Sequence, residues 1–253
     1  MDADALAALL GLPPASRVDS RIPKTLLAQH GATTAADRKL VSSSLESLTW
    51  VAALKPTTCG VKAFRDATRE YGEIHVLRLE GRASPVSDRL RTVVHRAIPY
   101  PVVLLTVTGG EAVISAVHVR WSEGAAGQTV LDGALEWAVM PSASSGTTWW
   151  SAARSELALT AQPAGDLFTL YGGWIESLLA VRTAGATAKF HRLRDPAGIL
   201  ARRTALTECE RLAGEMKRVR AAAKRTPQRA RQVAYTAELR RLEAADRAAR
   251  ARL

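Results

Sequence analysis

The chain has 253 residues, 47% of them apolar, with 35 Lys and Arg against 24 Asp and Glu, which is enough to bury a core without disulfide staples. Its two cysteines, Cys59 and Cys209, lie in distant regions of different character, so they match neither a disulfide framework nor a metal-ligand pair and imply a reducing, cytoplasmic compartment. The net charge of +11 is uneven: residues 1–185 hold 17 basic and 17 acidic residues, whereas residues 186–253 hold 18 basic and 7 acidic.

In chain order, the apolar stretch Ala5 to Leu12 follows Asp2 and Asp4, with no Lys or Arg before Arg17. It lacks the positive flank of a secretory signal and reads as a short helix. Thr33 or Thr34 caps a helix whose apolar positions are Leu40, Val41, Leu45 and Leu48, ahead of a strand from Thr49 to Leu54 that stops at Pro56. Cys59 to Tyr71 reads as a loop with an irregular turn. Glu73 to Leu79 alternates as a strand, Ile74 and Val76 on one face and His75 on the other. Ser84-Pro85 is a helix start; the helix that follows puts Val86, Leu90, Val93 and Val94 on one side and Arg89, Arg91 and Arg96 on the other.

Strands over Val102 to Thr108 and Ala112 to Trp121 are joined by Gly109-Gly110, a pair suited to the positive φ angles of a tight hairpin. Gln128 to Met140 adds a further strand. After a Ser-, Gly- and Thr-rich loop at Ser142 to Thr148, a helix from Asp166 to Arg182 carries Leu167, Leu170, Trp174, Leu178 and Val181 at three- and four-residue spacing. The most apolar interior run, Ile98 to Val107, holds two prolines and falls short of the ~20 residues of a membrane span, so no membrane partner is expected. The predicted fold class is α/β (α+β): a small mixed β-sheet backed by helices over residues 1–185, then a C-terminal antiparallel α-helical hairpin over 186–253.

The hairpin is announced by two start signals, Asp195-Pro196 and Thr226-Pro227. Ile199, Leu206 and Ala213 lie seven apart, as do Cys209 and Met216, with Val233, Ala237, Leu242 and Ala249 expected to face them across a small-residue seam. Lys217, Arg218, Arg220, Lys224, Arg225, Arg229 and Arg231 fall within 15 residues that contain no acid. Solvated helices normally mix signs to gain i,i+4 pairs, so this run is a candidate surface for DNA or an acidic partner, against the alternative of a merely solvated face. From Asp195 onward Tyr235 is the one aromatic residue, so single-strand base stacking is not the mode suggested.

Glycine-rich phosphate loops, dinucleotide fingerprints, nucleophile elbows and zinc-protease motifs are missing from the sequence, and no catalytic residue, metal ligand or cofactor is assigned. His75 and His118 both fall on strands and are candidates to face each other across the sheet as a base pair or metal half-site. The alternative is a surface or satisfied core histidine. Trp149 and Trp150 suit either a protein-contact anchor or the core.

Ile22-Pro23-Lys24-Thr25, His30, Ala36-Asp37-Arg38-Lys39 and Leu54-Lys55-Pro56, followed by Glu70-Tyr71-Gly72-Glu73-Ile74, Ile98-Pro99-Tyr100-Pro101-Val102 and Ala116-Val117-His118-Val119-Arg120, resemble a bacterial family catalogued only as a domain of unknown function. The resemblance spans nearly the whole chain. Members are encoded beside DNA methyltransferases and superfamily 2 helicases in restriction or phage-defence loci, which implies a non-catalytic accessory subunit with a helicase or DNA methyltransferase as partner. Lys24 and His30, within the motif, are candidates for a shared contact surface. The Arg- and Ala-rich hairpin departs from the family pattern, which is richer there in Lys, Glu and Asn. A metal-dependent nuclease with a degenerate site, built from acids and His75 or His118, is the alternative.

Overall fold

The computed structural model describes residues 1–82, 85–125, 127–142, 146–226 and 228–253. Its elements begin with α1 (Ala3–Ala8), β1 (Arg17–Arg21), α2 (Lys24–Leu26, continued as a π turn over Leu27–Gly31), α3 (Ala35–Ser44), β2 (Leu45–Leu54) and α4 (Pro56–Cys59). There follow a ribbon of β3 (Phe64–Arg65) and β4 (Glu70–Tyr71), then β5 (Ile74–Gly81), α5 (Asp88–Ala97), β6 (Val102–Thr108), β7 (Glu111–Trp121), β8 (Thr129–Val139), α6 (Trp150–Ser155) and α7 (Leu167–Thr187). The expected helix-start residues Ser84 and Pro227, and part of the Ser142–Thr148 loop, lie outside the described residues. The chain divides into two units, Met1–Arg182 and Thr183–Leu253.

The first unit is built on a six-stranded mixed sheet in the order β1-β2-β5-β6-β7-β8. Only β5 and β6 run parallel, and α5 supplies the crossover that such a pair requires. Every other neighbouring pair is antiparallel. Gly109 and Gly110 make the β6–β7 turn with φ of +38° and +102°, conformations in which a side chain is strained.

One face of the sheet packs under α2, α3 and α5. Leu48, Leu77, Leu79, Val102 and Leu104 meet Leu27, Val41, Leu90, Val93 and Val94 in a continuous apolar cluster. The π turn comes so close to α5 that a Cβ on Gly31 would sit 2.2 Å from the Val93 carbonyl oxygen. Thr34 caps α3 in a capping box with Asp37. Asp37 also accepts from Arg89 Nε at 2.6 Å, and that bond above all holds its carboxyl well below the usual range.

The opposite face carries α1 and α7. Arg78 of β5 pairs with Asp4 at 3.3 Å. Tyr171 of α7 donates its hydroxyl to the Val102 carbonyl at 2.7 Å and accepts from the Val117 amide at 3.0 Å. The β6–β7 ladder stops at Leu104 opposite Ser115, so this hydroxyl stands in for the next rung. Trp174, buried on the same helix, donates to the Leu157 carbonyl at 2.8 Å.

Four expectations for the first unit need correction. Strand β2 begins at Leu45, so Leu45 and Leu48 belong to the strand and not to the preceding helix. Ser42 and Ser43 bond back to the carbonyls of Lys39 and Leu40 at the helix end, and bulges in β2 break its two-residue alternation. The Cys59–Tyr71 segment contains the β3–β4 ribbon instead of a loop alone. Arg91, expected on the solvent side of α5, is only 4% exposed. Asp88 binds its guanidinium, which lies 5.9 Å from the Trp137 ring centroid. The helix itself starts at Asp88, with Ser87 as its cap.

In the second unit α8 (Pro196–Arg225) and α9 (Arg229–Arg250) form an antiparallel hairpin, Asp195 capping α8. The seam joins Cys209, Leu212 and Met216 to Leu242 and Ala249, flanked by Val219 and Leu239. Of the residues expected to face one another, Ala213 and Ala237 are exposed and Val233 is 70% exposed. The α9 seam runs Tyr235, Leu239, Leu242, Asp246, Ala249, a four-three alternation that excludes Val233 and Ala237.

Candidate functional site

All seven basic residues singled out near the hairpin turn are exposed. Arg220 pairs with Glu243 across the hairpin at 3.1 Å. The other six, Lys217, Arg218, Lys224, Arg225, Arg229 and Arg231, enter no ion pair among the described residues. Elsewhere on the same helices Arg211 is held by Glu208 and Glu215, and Arg250 by Asp246, whereas Arg240, Arg241 and Arg247 of α9 are likewise exposed and outside any ion pair among the described residues. The turn therefore concentrates positive charge, with Glu243 the one acid paired with any of the seven among the described residues, and like charges so close raise the potential felt by an approaching anion.

A second cluster sits at one end of the sheet, where several of the segments quoted for the family resemblance converge. Lys55 follows β2, Glu73 precedes β5 and Tyr100-Pro101 precedes β6. The imidazole of His75 lies between Trp50, at 4.4 Å between ring centroids, and Tyr100, at 4.5 Å, both stacked. Glu73 Oε2 stands 3.4 Å from His75 Nε2 and 3.3 Å from Lys55 Nζ. His75 is 6% exposed, and burial pushes its pKa down against the pull of Glu73.

His118 belongs to the other face. Its Nδ1 lies 2.8 Å from the Tyr71 hydroxyl, which also accepts from the Val119 amide at 3.2 Å. Phe168 and Tyr171 of α7 cover the ring. Burial raises the phenol pKa of Tyr71, so this hydroxyl keeps its proton. The expected His75–His118 pair is thus not formed: His75 shares its face with Leu77 and Leu79, and His118 faces α7. Among the described residues no group of three or more His, Cys, Asp or Glu is placed to hold a metal ion.

The remaining candidates are dispersed. Lys24 Nζ donates to the Leu45 carbonyl, so this ammonium is tied to the start of β2, while His30 is exposed. Trp149 and Trp150 are half-buried and pack edge to face at 6.1 Å. Sequence reasoning did not bring Glu73, Trp50 and Tyr100 together around His75. It also missed His95, buried on α5 with Nε2 at 3.1 Å from Ser115 Oγ and pushed down to about 3 by burial and by Arg91. The signal for Glu73 was its place two residues from His75; nothing local pointed to the stacked rings.

A family model described as a domain of unknown function (DUF4391) matches residues 10–245. The chain belongs to that family. No curated protein and no solved structure matches the chain. The DUF4391 match takes in the whole six-stranded sheet, the cluster around His75 and all seven basic residues at the hairpin turn. No helix among the described residues is long and apolar enough to cross a membrane.

Proposed function

We propose that this protein is a cytoplasmic, non-catalytic accessory subunit of a bacterial anti-phage defence system. Its α/β body docks on a helicase or DNA methyltransferase of the same locus, and its hairpin turn engages DNA. The observation that carries the reading is the set of six exposed, uncompensated cations between Lys217 and Arg231. The sequence resemblance to a family encoded beside methyltransferases and helicases supplies the partner class. Tyr235, half-buried in the seam, is not presented for stacking, which favours contact with phosphates over contact with bases.

Fluorescence anisotropy with a labelled DNA duplex tests this. Six phosphate contacts give a log–log salt slope of about −5, or about a thousandfold loss of affinity between roughly 50 and 200 mM salt. The combined change Arg218→Glu, Arg220→Glu, Lys224→Glu and Arg225→Glu is expected to abolish binding while leaving the helical circular dichroism intact. Salt-insensitive binding, or full binding by the reversed variant, would refute the DNA role. The docking role is tested separately by affinity purification of the tagged chain from its native host; recovery without a helicase or methyltransferase would refute it.

A further inference from the structure

The sheet ends in two dissimilar edges. Strand β1 is 5 residues long, exposed along its length, and among the described residues pairs only with β2. Strand β8 is 11 residues long and among the described residues pairs only with β7. Each leaves a row of main-chain amides and carbonyls without a strand partner, the groups that accept another extended chain. Beside β8 lies a cavity of about 270 Å³ lined by Val86, Arg91, Glu111, Val113, Trp137 and Val139. Val139 is 46% exposed, and Val18 on β1 is 38% exposed. Both rank among the few large apolar side chains that the described surface leaves in water.

We infer that the β8 edge of one copy takes the β1 edge of a second copy, so that the sheet continues from chain to chain. The two edges are complementary in shape and in charge. The β8 side offers a cavity with a largely apolar wall, in which Arg91 is already paired with Asp88, and whose lip carries Glu111, a carboxylate with no ion pair among the described residues. The β1 side offers one aliphatic residue, Val18, between Arg17 and Asp19, with Arg21 ending the strand, so that its net charge is positive; Arg17 and Arg21 enter no ion pair among the described residues. An aliphatic side chain enters the cavity and an arginine meets the free carboxylate. Because the two edges lie on opposite sides of the sheet, the contact is head to tail and leaves a free edge at each end of a dimer. Asp19, at φ +48°, and the register shift between Arg17 and Ser20 interrupt the β1 ladder. The contact is therefore short and belongs with weak, transient interfaces.

Sedimentation velocity on the full chain, at concentrations up to about 200 μM to suit an interface of this class, tests the inference. The unmodified chain is expected to pass through dimers to larger species as concentration rises. Val18→Lys and Val139→Lys should each be monomeric alone, since each blocks one edge. An equimolar mixture of the two should form dimers and stop there, because each copy retains the edge the other lacks. Recovery of the dimer on mixing also shows that both variants are folded. Glu111→Lys, at a half-exposed site, is expected to raise the concentration needed for assembly about tenfold, equal to about 1.4 kcal/mol. A chain that stays monomeric throughout overturns the inference, and so does a mixture that fails to dimerise. Dimerisation of Val18→Lys alone, with Val139→Lys monomeric, also overturns it, by showing that β8 pairs with β8.

Discussion

Lowering the pH should unfold the first unit through a histidine that has no room to be charged. His95 is 2% exposed, its pKa is pushed down to about 3 from an ordinary 6.5 by burial and the neighbouring Arg91, and its Nε2 contacts Ser115 Oγ. Above pH 6.5 the imidazole is neutral in both states and contributes no pH dependence. Below 6.5 the unfolded chain takes up a proton that the folded chain refuses, so stability falls with pH until the folded-state value is reached. Each pH unit in that window costs about 1.4 kcal/mol, which makes the loss between pH 7 and pH 5 about 2 kcal/mol from this residue. The depressed pKa of His75 adds to the fall with the same sign. His95→Gln keeps a polar group for Ser115 but cannot titrate. Urea denaturation at the two pH values should show the wild type losing about 2 kcal/mol more than the variant, with m unchanged. Equal losses in the two proteins would mean that His95 is not held neutral, and the burial argument would fall.

Three further changes probe the packing. Gly31→Ala, which drives a methyl into the Val93 carbonyl, is expected to destabilise the first unit by about 1–3 kcal/mol in the same denaturation assay. Tyr171→Phe removes the hydroxyl that replaces a rung between β6 and β7; thermal unfolding should record a loss of about 1–3 kcal/mol, since a buried amide and carbonyl are left unpaired. In the hairpin, Leu242→Ala should cost about 2–5 kcal/mol and lower its helical melting point, whereas Val233→Ala, at an exposed site, should change stability by less than about 0.5 kcal/mol.

Local chemistry was legible in the sequence where a single turn or cap decides the structure. Gly109-Gly110 must make the β6–β7 turn because two successive positive φ angles are needed there, and Thr34 with Asp37 reciprocally caps α3. The start of β2 was not legible, because Leu45 and Leu48 satisfy a helical spacing as well as a bulged strand. Nor was the relation of His75 to His118. Alternation fixes a face within one strand, but His75 is level with Val102, and counting back from Leu104 opposite Ser115 brings Val117 to that level. Val117 therefore shares the face of His75, and His118 takes the other. The hairpin frame was ambiguous because alanine fits several heptad registers, so only the bulkier Leu239 and Leu242 select the true one. The concentration of cations at the turn, by contrast, needed only counting, since exposure follows once the seam residues are assigned elsewhere.

The start of α9 works against its own helix. Its first turn carries Arg229 and Arg231, no acidic residue and no side-chain cap from Gln228, although the positive end of a helix dipole favours acids there. Lys224 and Arg225, which suit the negative end of α8, add further like charge a few residues away. The turn is thus the least cooperative part of the hairpin, and its amides should exchange with solvent sooner than those between Leu239 and Ala249. A bound polyanion would remove the repulsion and the unfavourable dipole term together. Ordering of this turn is then coupled to occupancy: part of the interaction energy goes into completing the helix, and protection from exchange should appear first where the free hairpin frays.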